Sequence, residues 1–173
     1  FFMKPADGVV PGTGPLSVHY PPGTKNYQHE IELVIALSSG GRDIAVADAT
    51  KHIYGYAVGL DMTRRDLQLA ARDLGRPWDF GKSFDQSAPL GPIHPVSSIG
   101  HPSKGAVTLH VNDALKQQGD LADLIWSIPE IVSFLSAYYT LAAGDLIFTG
   151  TPAGVGPVVP GDRLVGRVAG LAD

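Results

Sequence analysis

Two glutamates separated by a single residue carry the first chemical signal in this chain. The stretch Asn26–Leu37 (NYQHEIELVIAL) sets β-branched and aliphatic residues on both sides of Glu30 and Glu32 and follows no helical period. It reads as a strand running into a core. A strand has period two, so both carboxylates project from one face. Side by side at the mouth of a buried strand they repel each other and are costly to desolvate. A bound cation relieves both costs, and hard oxygen ligands suit magnesium, manganese or calcium. The alternative is that Glu30 and Glu32 line the solvated face of an edge strand. Asp61 is the third acid, ending the apolar and aromatic segment Ile53–Asp61 where a polar side chain would meet a cleft. Three carboxylates with no cysteine and no clustered histidine describe a magnesium-type site, with positions left for water and substrate. Lys82, in the glycine-flanked loop Phe80–Asp85, and Arg65 are candidate anion clamps, although each alone is more often a surface charge. His29 neighbours Glu30, but strand alternation aims it at the opposite face, so it is not counted as a ligand.

A second candidate is the glycine-rich run Gly150–Pro157 (GTPAGVGP). Glycine lets backbone amides approach an anion closely. The run lacks the Gly-Lys-Ser/Thr ending of a P-loop and no helix follows it, so a nucleotide site is disfavoured. A tight loop seating a small carboxylate on the Thr151 hydroxyl and nearby amides fits better, and a purely structural turn stays open. A Gly-x-Ser-x-Gly nucleophile elbow does not occur. The six histidines show no zinc spacing.

These residues need elements to hold them. Residues 1–25 read as short extended pieces between turns, including Leu16–Tyr20. The carboxylate strand ends at the break Ser38–Arg42, and residues 46–52 suit a short helix. Thr63 opens a helix, with Thr63 and Asp66 at capping-box spacing, Leu67, Ala70, Ala71 and Leu74 as its buried face, and Gly75 as its stop. Val107–Val111 and Leu115–Gln118 form a hairpin turning at Asn112–Asp113. Ser127 and Glu130 cap a second helix with Pro129 in its first turn and Ile131, Phe134, Leu135 and Tyr138 facing inward. Strands follow at Leu146–Thr149 and at about 162–168.

Size and composition bound the rest. A chain of 173 residues forms one domain and buries a real core. Hydrophobic residues at 44% and charged residues at 17% are those of an ordinary globular protein. A formal net charge of -4 without basic runs argues against nucleic acid as a partner. No apolar run approaches the eighteen or so residues needed to cross a bilayer. The absence of cysteine rules out disulfides and thiolate metal sites and fits a cytoplasmic protein. Glycine and proline, scattered in turn-like clusters, favour a many-turned, β-rich fold. The opening Phe1-Phe2-Met3-Lys4-Pro5 suggests that the sequence starts inside a longer gene product.

Taken in order, Phe1-Phe2-Met3-Lys4-Pro5, His29-Glu30-Ile31-Glu32, Gly55-Tyr56 through Asp61, Arg65-Asp66-Leu67-Gln68, Gly81-Lys82-Ser83-Phe84 and Thr149-Gly150-Thr151-Pro152 with Gly154-Val155-Gly156 resemble the fumarylacetoacetate hydrolase family. Within it the chain looks like the acylpyruvase branch, which includes fumarylpyruvate hydrolases and oxaloacetate decarboxylases. The resemblance implies a mainly β fold with short helices, a mixed roll or sandwich, with residues 1–173 as one catalytic domain. It implies a homodimer with one divalent ion per subunit, magnesium first and manganese or calcium as alternatives. It also implies that Glu30, Glu32 and Asp61 bind the metal, that Lys82 and Gln68 serve catalysis, and that Arg65, Thr151 and Gly150 face a small keto-acid substrate. Two departures are Asp113, where the family usually has glycine, and Arg64, where a small residue is commoner. Members of this branch also carry an upstream lid with a His and a Glu that activate water, and this sequence begins after it. The implied reaction is attack of water on the C4 carbonyl of a 2,4-dioxo acid, with breakage of C3–C4 and departure of pyruvate as its enolate. Decarboxylation of oxaloacetate delivers the same enolate and is the nearest alternative. A metal-binding scaffold without turnover is the alternative from another class.

Overall fold

The computed structural model describes residues 1–171. In chain order the strands are β1 (Val9–Pro11), β2 (Tyr27–His29), β3 (Ile31–Leu37), β4 (Ile53–Leu60), β5 (Thr63–Arg64) and β6 (Ala88–Leu90). They continue with β7 (His94–Pro95), β8 (Ala106–Val111), β9 (Ala114–Asp120), β10 (Leu146–Phe148), β11 (Gly156–Pro157) and β12 (Leu164–Val168). The α-helices are α1 (Arg65–Asp73), α2 (Asp79–Lys82), α3 (Val96–Ile99) and α4 (Ile128–Tyr138). This is the mainly β, short-helix architecture expected, and residues 46–52 do form a short helix, wound as a 3-10 helix. No helix among the described residues is long and apolar enough to cross a membrane.

The main sheet runs β1-β6-β4-β3-β10, with β7 also on β4. Two three-stranded sheets, β12-β8-β9 and β11-β2-β5, complete the described β structure. β3 lies between β4 and β10 and is buried along its whole length. That placement overturns the edge-strand alternative for Glu30 and Glu32. Ile31, Leu33, Ile35 and Leu37 pack with Leu109, Val168 and Val132 in the principal core. Val34 faces the other way, onto Ala57 and Leu90. Burial on both faces explains why β3 reads as a continuous apolar run instead of an alternating one. The sheets approach closely where side chains are missing: a Cβ on Gly166 of β12 would stand 2.4 Å from Ile31 Cδ1.

Local signals settle several elements. The β8–β9 hairpin turns at Asn112 and Asp113, both with positive φ (49° and 67°). Those angles are what a two-residue hairpin requires, and Asn and Asp tolerate them. Ser127 and Glu130 form the expected capping box on α4. Gly75 ends α1 with φ 63°.

Other expectations are corrected. The strand expected over Asn26–Leu37 is interrupted at Glu30, so that β2 and β3 join different sheets. Leu16–Tyr20 forms no strand. Thr63 belongs to β5, and α1 begins at Arg65 without a capping box. The Thr63 hydroxyl donates to the Asp61 carbonyl, and Asp66 accepts from Thr24 and from Lys25 N–H, so both supposed capping groups are committed elsewhere. The buried member of α1 is Gln68, not the Leu67/Ala70/Ala71/Leu74 stripe, and Leu74 is 63% exposed. α1 packs through Gln68 against Gly81, whose hypothetical Cβ would be 2.8 Å from Gln68 Cβ. The segment expected as a loop at Phe80–Asp85 contains part of the one-turn helix α2. α4 is rotated from its expected face: Ile128, Ile131, Val132 and Ser136 point inward while Phe134 and Tyr138 remain exposed. The rotation lets Ser136 accept from Ile44 N–H and Ser133 donate to the Ile44 carbonyl, satisfying backbone that would otherwise be buried without partners.

Candidate metal and substrate site

Antiparallel pairing of β3 with β4 joins the three acids. Ile31 lies opposite Leu60 in the register, and the next step beyond the ladder is Asp61 N–H donating to the Glu30 carbonyl at 2.8 Å. Glu30 and Asp61, distant in sequence, are therefore cross-strand neighbours. Glu32 lies opposite Gly59, where a Cβ would sit 2.5 Å from Val34 Cγ2 and 2.7 Å from the Phe148 ring. The glycine leaves room for the packing of β10 beside the acids. One ligand atom from each of Glu30, Glu32 and Asp61 lies within 4.8 Å of the others. All three residues are buried.

Lys82, at the end of α2, is 1% exposed and reaches this cluster. Its Nζ donates to Glu30 Oε2 at 2.8 Å, Asp61 Oδ2 at 2.6 Å and Thr63 Oγ1 at 2.7 Å. An ammonium has three hydrogens, and here each has an acceptor. Arg65, at the start of α1, donates to Glu30 Oε1 and Gln68 Oε1 and, through Nε, to Gln28 Oε1 at 2.9 Å. Gln68 is thus held beside Glu30 by the same guanidinium. Gly150 N–H donates to Glu32 Oε2 at 2.7 Å. The Thr151 hydroxyl donates to the Ile31 carbonyl at 2.7 Å and accepts from Gln117 Nε2 at 2.8 Å. Its proton is therefore turned toward β3 instead of being offered to a carboxylate, as the sequence reading had it. Every sequence-selected site residue is gathered here: three acids, Lys82, Arg65, Gln68, Gly150 and Thr151. His29, excluded as a ligand, is buried and bonds through Nδ1 to Gln117 at 2.8 Å, away from the acids.

Two residues escaped the sequence reading. Lys4 is part of the Phe-Phe-Met-Lys-Pro motif, yet its motif position carries no hint of where its side chain goes. Its Nζ lies 2.8 Å from Asp61 Oδ1 and donates to the Met62 and Lys82 carbonyls at 3.0 and 2.6 Å. Burial lowers the Lys4 pKa, and the Asp61 carboxylate opposes that shift. Gln117 is fully buried on β9, in a segment whose polar run Lys-Gln-Gln looks like solvated hairpin.

Electrostatically, three carboxylates face Lys4, Lys82 and Arg65. Even so, burial pushes the Glu32 carboxyl up to about 8, the nearby Asp61 charge adds to the rise, and the Gly150 N–H draws it back. A buried carboxyl in this condition takes either a proton or a cation. Asp61 Oδ1 is buried, with the Lys4 ammonium 2.8 Å away. Three buried carboxylates with ligand oxygens within 4.8 Å of one another fit a divalent ion of the magnesium or manganese type. A cleft lined by Glu30, Glu32, Asp61, Thr149 and Thr151 opens from the acids toward Trp126.

The sequence model described as fumarylacetoacetate (FAA) hydrolase C-terminal matches residues 1–173. A fumarylpyruvate hydrolase of Ralstonia sp is 50% identical over 157 residues, which is 91% of this chain and 81% of that protein. A mitochondrial oxaloacetate tautomerase of Oryza sativa subsp. japonica is 39% identical over 173 residues, 99% of this chain and 76% of its own. Among solved structures, fumarylpyruvate hydrolase from Pseudomonas aeruginosa in complex with Mn2+ and pyruvate superimposes with a TM-score of 0.97 at 53% identity. That alignment covers 98% of this chain and 74% of the other.

Proposed function

The chain belongs to the fumarylacetoacetate hydrolase family, and from that premise we propose that it is a divalent-metal-dependent hydrolase of acylpyruvates, with fumarylpyruvate as the leading substrate. The observation that carries this reading is the buried triad Glu30, Glu32 and Asp61, with Lys82 bonded to two of its members, lining a cleft together with Thr149, Gly150 and Thr151. The three acids hold the ion, magnesium being the working choice and manganese the one found with the Pseudomonas relative. When bound, the ion supplies Lewis-acid polarisation of the substrate's keto oxygen.

The reaction adds water to the C4 carbonyl, breaks C3–C4 and leaves the electron pair of that bond on pyruvate as an enolate, which then takes a proton. Lys82, its three hydrogens fixed by Glu30, Asp61 and Thr63, acts as a preoriented positive charge beside the developing enolate. Arg65 and Gln68 hold a guanidinium and an amide beside Glu30, groups suited to the substrate's carboxylate and keto oxygens. Gly150 holds Glu32 through its N–H, and Thr151 lines the cleft as a substrate contact. The enzyme works as a cytoplasmic homodimer. Support for self-association comes from the exposed apolar row of Ile125, Trp126, Phe134 and Tyr138.

Decarboxylation or tautomerisation of oxaloacetate is the second reading, and the 39% identical Oryza tautomerase supports oxaloacetate as its substrate. Purified protein with Mg2+ or Mn2+ is assayed on fumarylpyruvate, acetylpyruvate and oxaloacetate, following enol absorbance and released pyruvate. Turnover of fumarylpyruvate with equimolar pyruvate is expected. Activity on oxaloacetate alone selects the second reading, and silence on all three refutes both.

A further inference from the structure

Gln117 bonds none of the three acids but joins the stretch that carries two of them to the loop that lines the cleft. Its amide orientation is settled by its surroundings. Ile31 N–H donates to Oε1 at 3.1 Å, so that atom is the oxygen, and Nε2 then donates to Thr151 Oγ1 at 2.8 Å and to the Pro152 carbonyl at 2.9 Å. Since Oε1 also meets His29 Nδ1 at 2.8 Å, His29 must carry its hydrogen on Nδ1. The four polar contacts of this fully buried side chain are therefore mutually consistent in one arrangement.

The loop is seated on β9 by sterics as well. A Cβ on Gly154, which has φ +98°, would fall 2.1 Å from the Lys116 carbonyl oxygen, and one on Gly119 would fall 2.7 Å from Pro152 Cβ. The loop thus lies directly on the β9 backbone at Lys116 and presses the Pro152 ring onto Gly119, on either side of Gln117. With Nε2 donating to its oxygen, the Thr151 hydroxyl has its hydrogen directed to the Ile31 carbonyl. One residue earlier, Gly150 N–H is on Glu32.

We propose that Gln117 is a positioning residue: through the Thr151 hydroxyl and the Pro152 carbonyl its amide fixes the Gly150–Pro152 turn, the part of the cleft wall that receives the substrate's pyruvyl end. This rests on the functional reading above. The Gln117 side chain bonds to Thr151, Pro152, Ile31 and His29 and to none of the three acids, so its effect is expected on keto-acid affinity ahead of metal affinity.

The test is a double-mutant cycle of Gln117→Glu and Thr151→Val, read by calorimetry as pyruvate affinity of the Mn2+-loaded protein and, separately, as Mn2+ affinity. Gln117→Glu keeps the acceptor for Ile31 and His29 but opposes Thr151 Oγ1 and the Pro152 carbonyl with a second oxygen. Each single change is expected to weaken pyruvate binding by about tenfold. The double variant should be within about threefold of either single one, because both remove the same link. Mn2+ affinity should stay at the wild-type value, and Thr151→Ser should restore pyruvate binding. Wild-type pyruvate affinity in Gln117→Glu, full additivity in the cycle, or loss of Mn2+ binding overturns the inference. Should Gln117→Glu fail to fold, the nitrogen-15 spectrum of His29 in the wild-type protein decides: a hydrogen on Nε2 contradicts the amide orientation on which everything here depends. Wild-type protein that binds no pyruvate overturns the functional reading together with this inference, whereas a flat Gln117→Glu overturns this inference alone.

Discussion

Replacing Gly81 by alanine tests whether the packing of α1 on α2 places Lys82. The added methyl carbon would stand 2.8 Å from Gln68 Cβ and 2.9 Å from both Cα and N of Gln68. Ordinary contact begins at 3.4 Å, so the gap to be opened is 3.4 − 2.8 = 0.6 Å, and two of the three obstructing atoms are backbone. α2 has to yield, and Lys82 is the next residue along it. Its longest Nζ bond, 2.8 Å to Glu30, would stretch toward the limit of hydrogen-bond geometry under a shift of that size. Overpacking of this kind costs about 1–3 kcal/mol. For a chain of this length that lowers Tm by roughly 2–12 °C. A misplaced catalytic group costs on the order of 10²-fold at 1 Å, so a loss of about 10- to 100-fold in kcat is expected. Gly75→Ala is the control: it sits past the end of α1 with φ +63° and meets nothing within 4 Å. It should lower Tm through backbone strain of about 1–2 kcal/mol and leave kcat alone. Melting curves and initial rates of fumarylpyruvate loss on both variants decide. Wild-type kcat in Gly81→Ala, or an equal loss in Gly75→Ala, would falsify the positioning argument.

Three further outcomes are expected. Lys82→Met removes the cation that Glu30 and Asp61 share while Arg65 and Lys4 still pair with them, which should destabilise the metal-free protein by about 1–3 kcal/mol and reduce kcat on the order of 10²–10³-fold; chemical denaturation in chelator and steady-state rates check both. Glu32→Gln replaces a carboxyl that burial already holds up at about 8 by a neutral group of the same shape. Its stability in chelator should match or exceed wild type while the rise in Tm on adding Mn2+ disappears, and an undiminished Mn2+ response would remove Glu32 from the ligand set. Asp66 supplies the pH test. Although burial acts to raise its pKa, the Lys25 N–H, the Thr24 hydroxyl and the Leu67 N–H outweigh it and hold the folded value below the usual 3.8. The unfolded chain therefore binds this proton first, so the stabilisation is present above about pH 4 and is lost as pH falls through the lower folded value. Asp66→Asn should melt below wild type at pH 7, with the gap closing in acid; a constant gap would show that charge is not its source.

What the linear sequence determined by itself is whatever short-range physics decides. The Asn112–Asp113 turn, the Ser127/Glu130 cap and the Gly75 stop each depend on a few consecutive residues, and all three stand as read. The apolar run around Glu30 and Glu32 marked a buried strand with two acids because unpaired charge is rare inside a core without a cation. Tertiary structure decided which helix faces turn inward and which distant groups meet. α1 buries Gln68 because Gly81 admits it, and α4 turns Ser136 inward because Ile44 backbone needs partners, neither of which is visible in an apolar stripe. Asp61 reaches Glu30 only through the β3–β4 register, and Lys4 and Lys82 arrive from before and after it in the sequence to neutralise it. Gln117 lay hidden in a polar hairpin since its burial is created by a loop that packs on it from 34 residues downstream. Periodicity reports one element against an averaged core; a site assembled from strand ends and loops is specified by pairing register and close backbone approach, which only the folded chain defines.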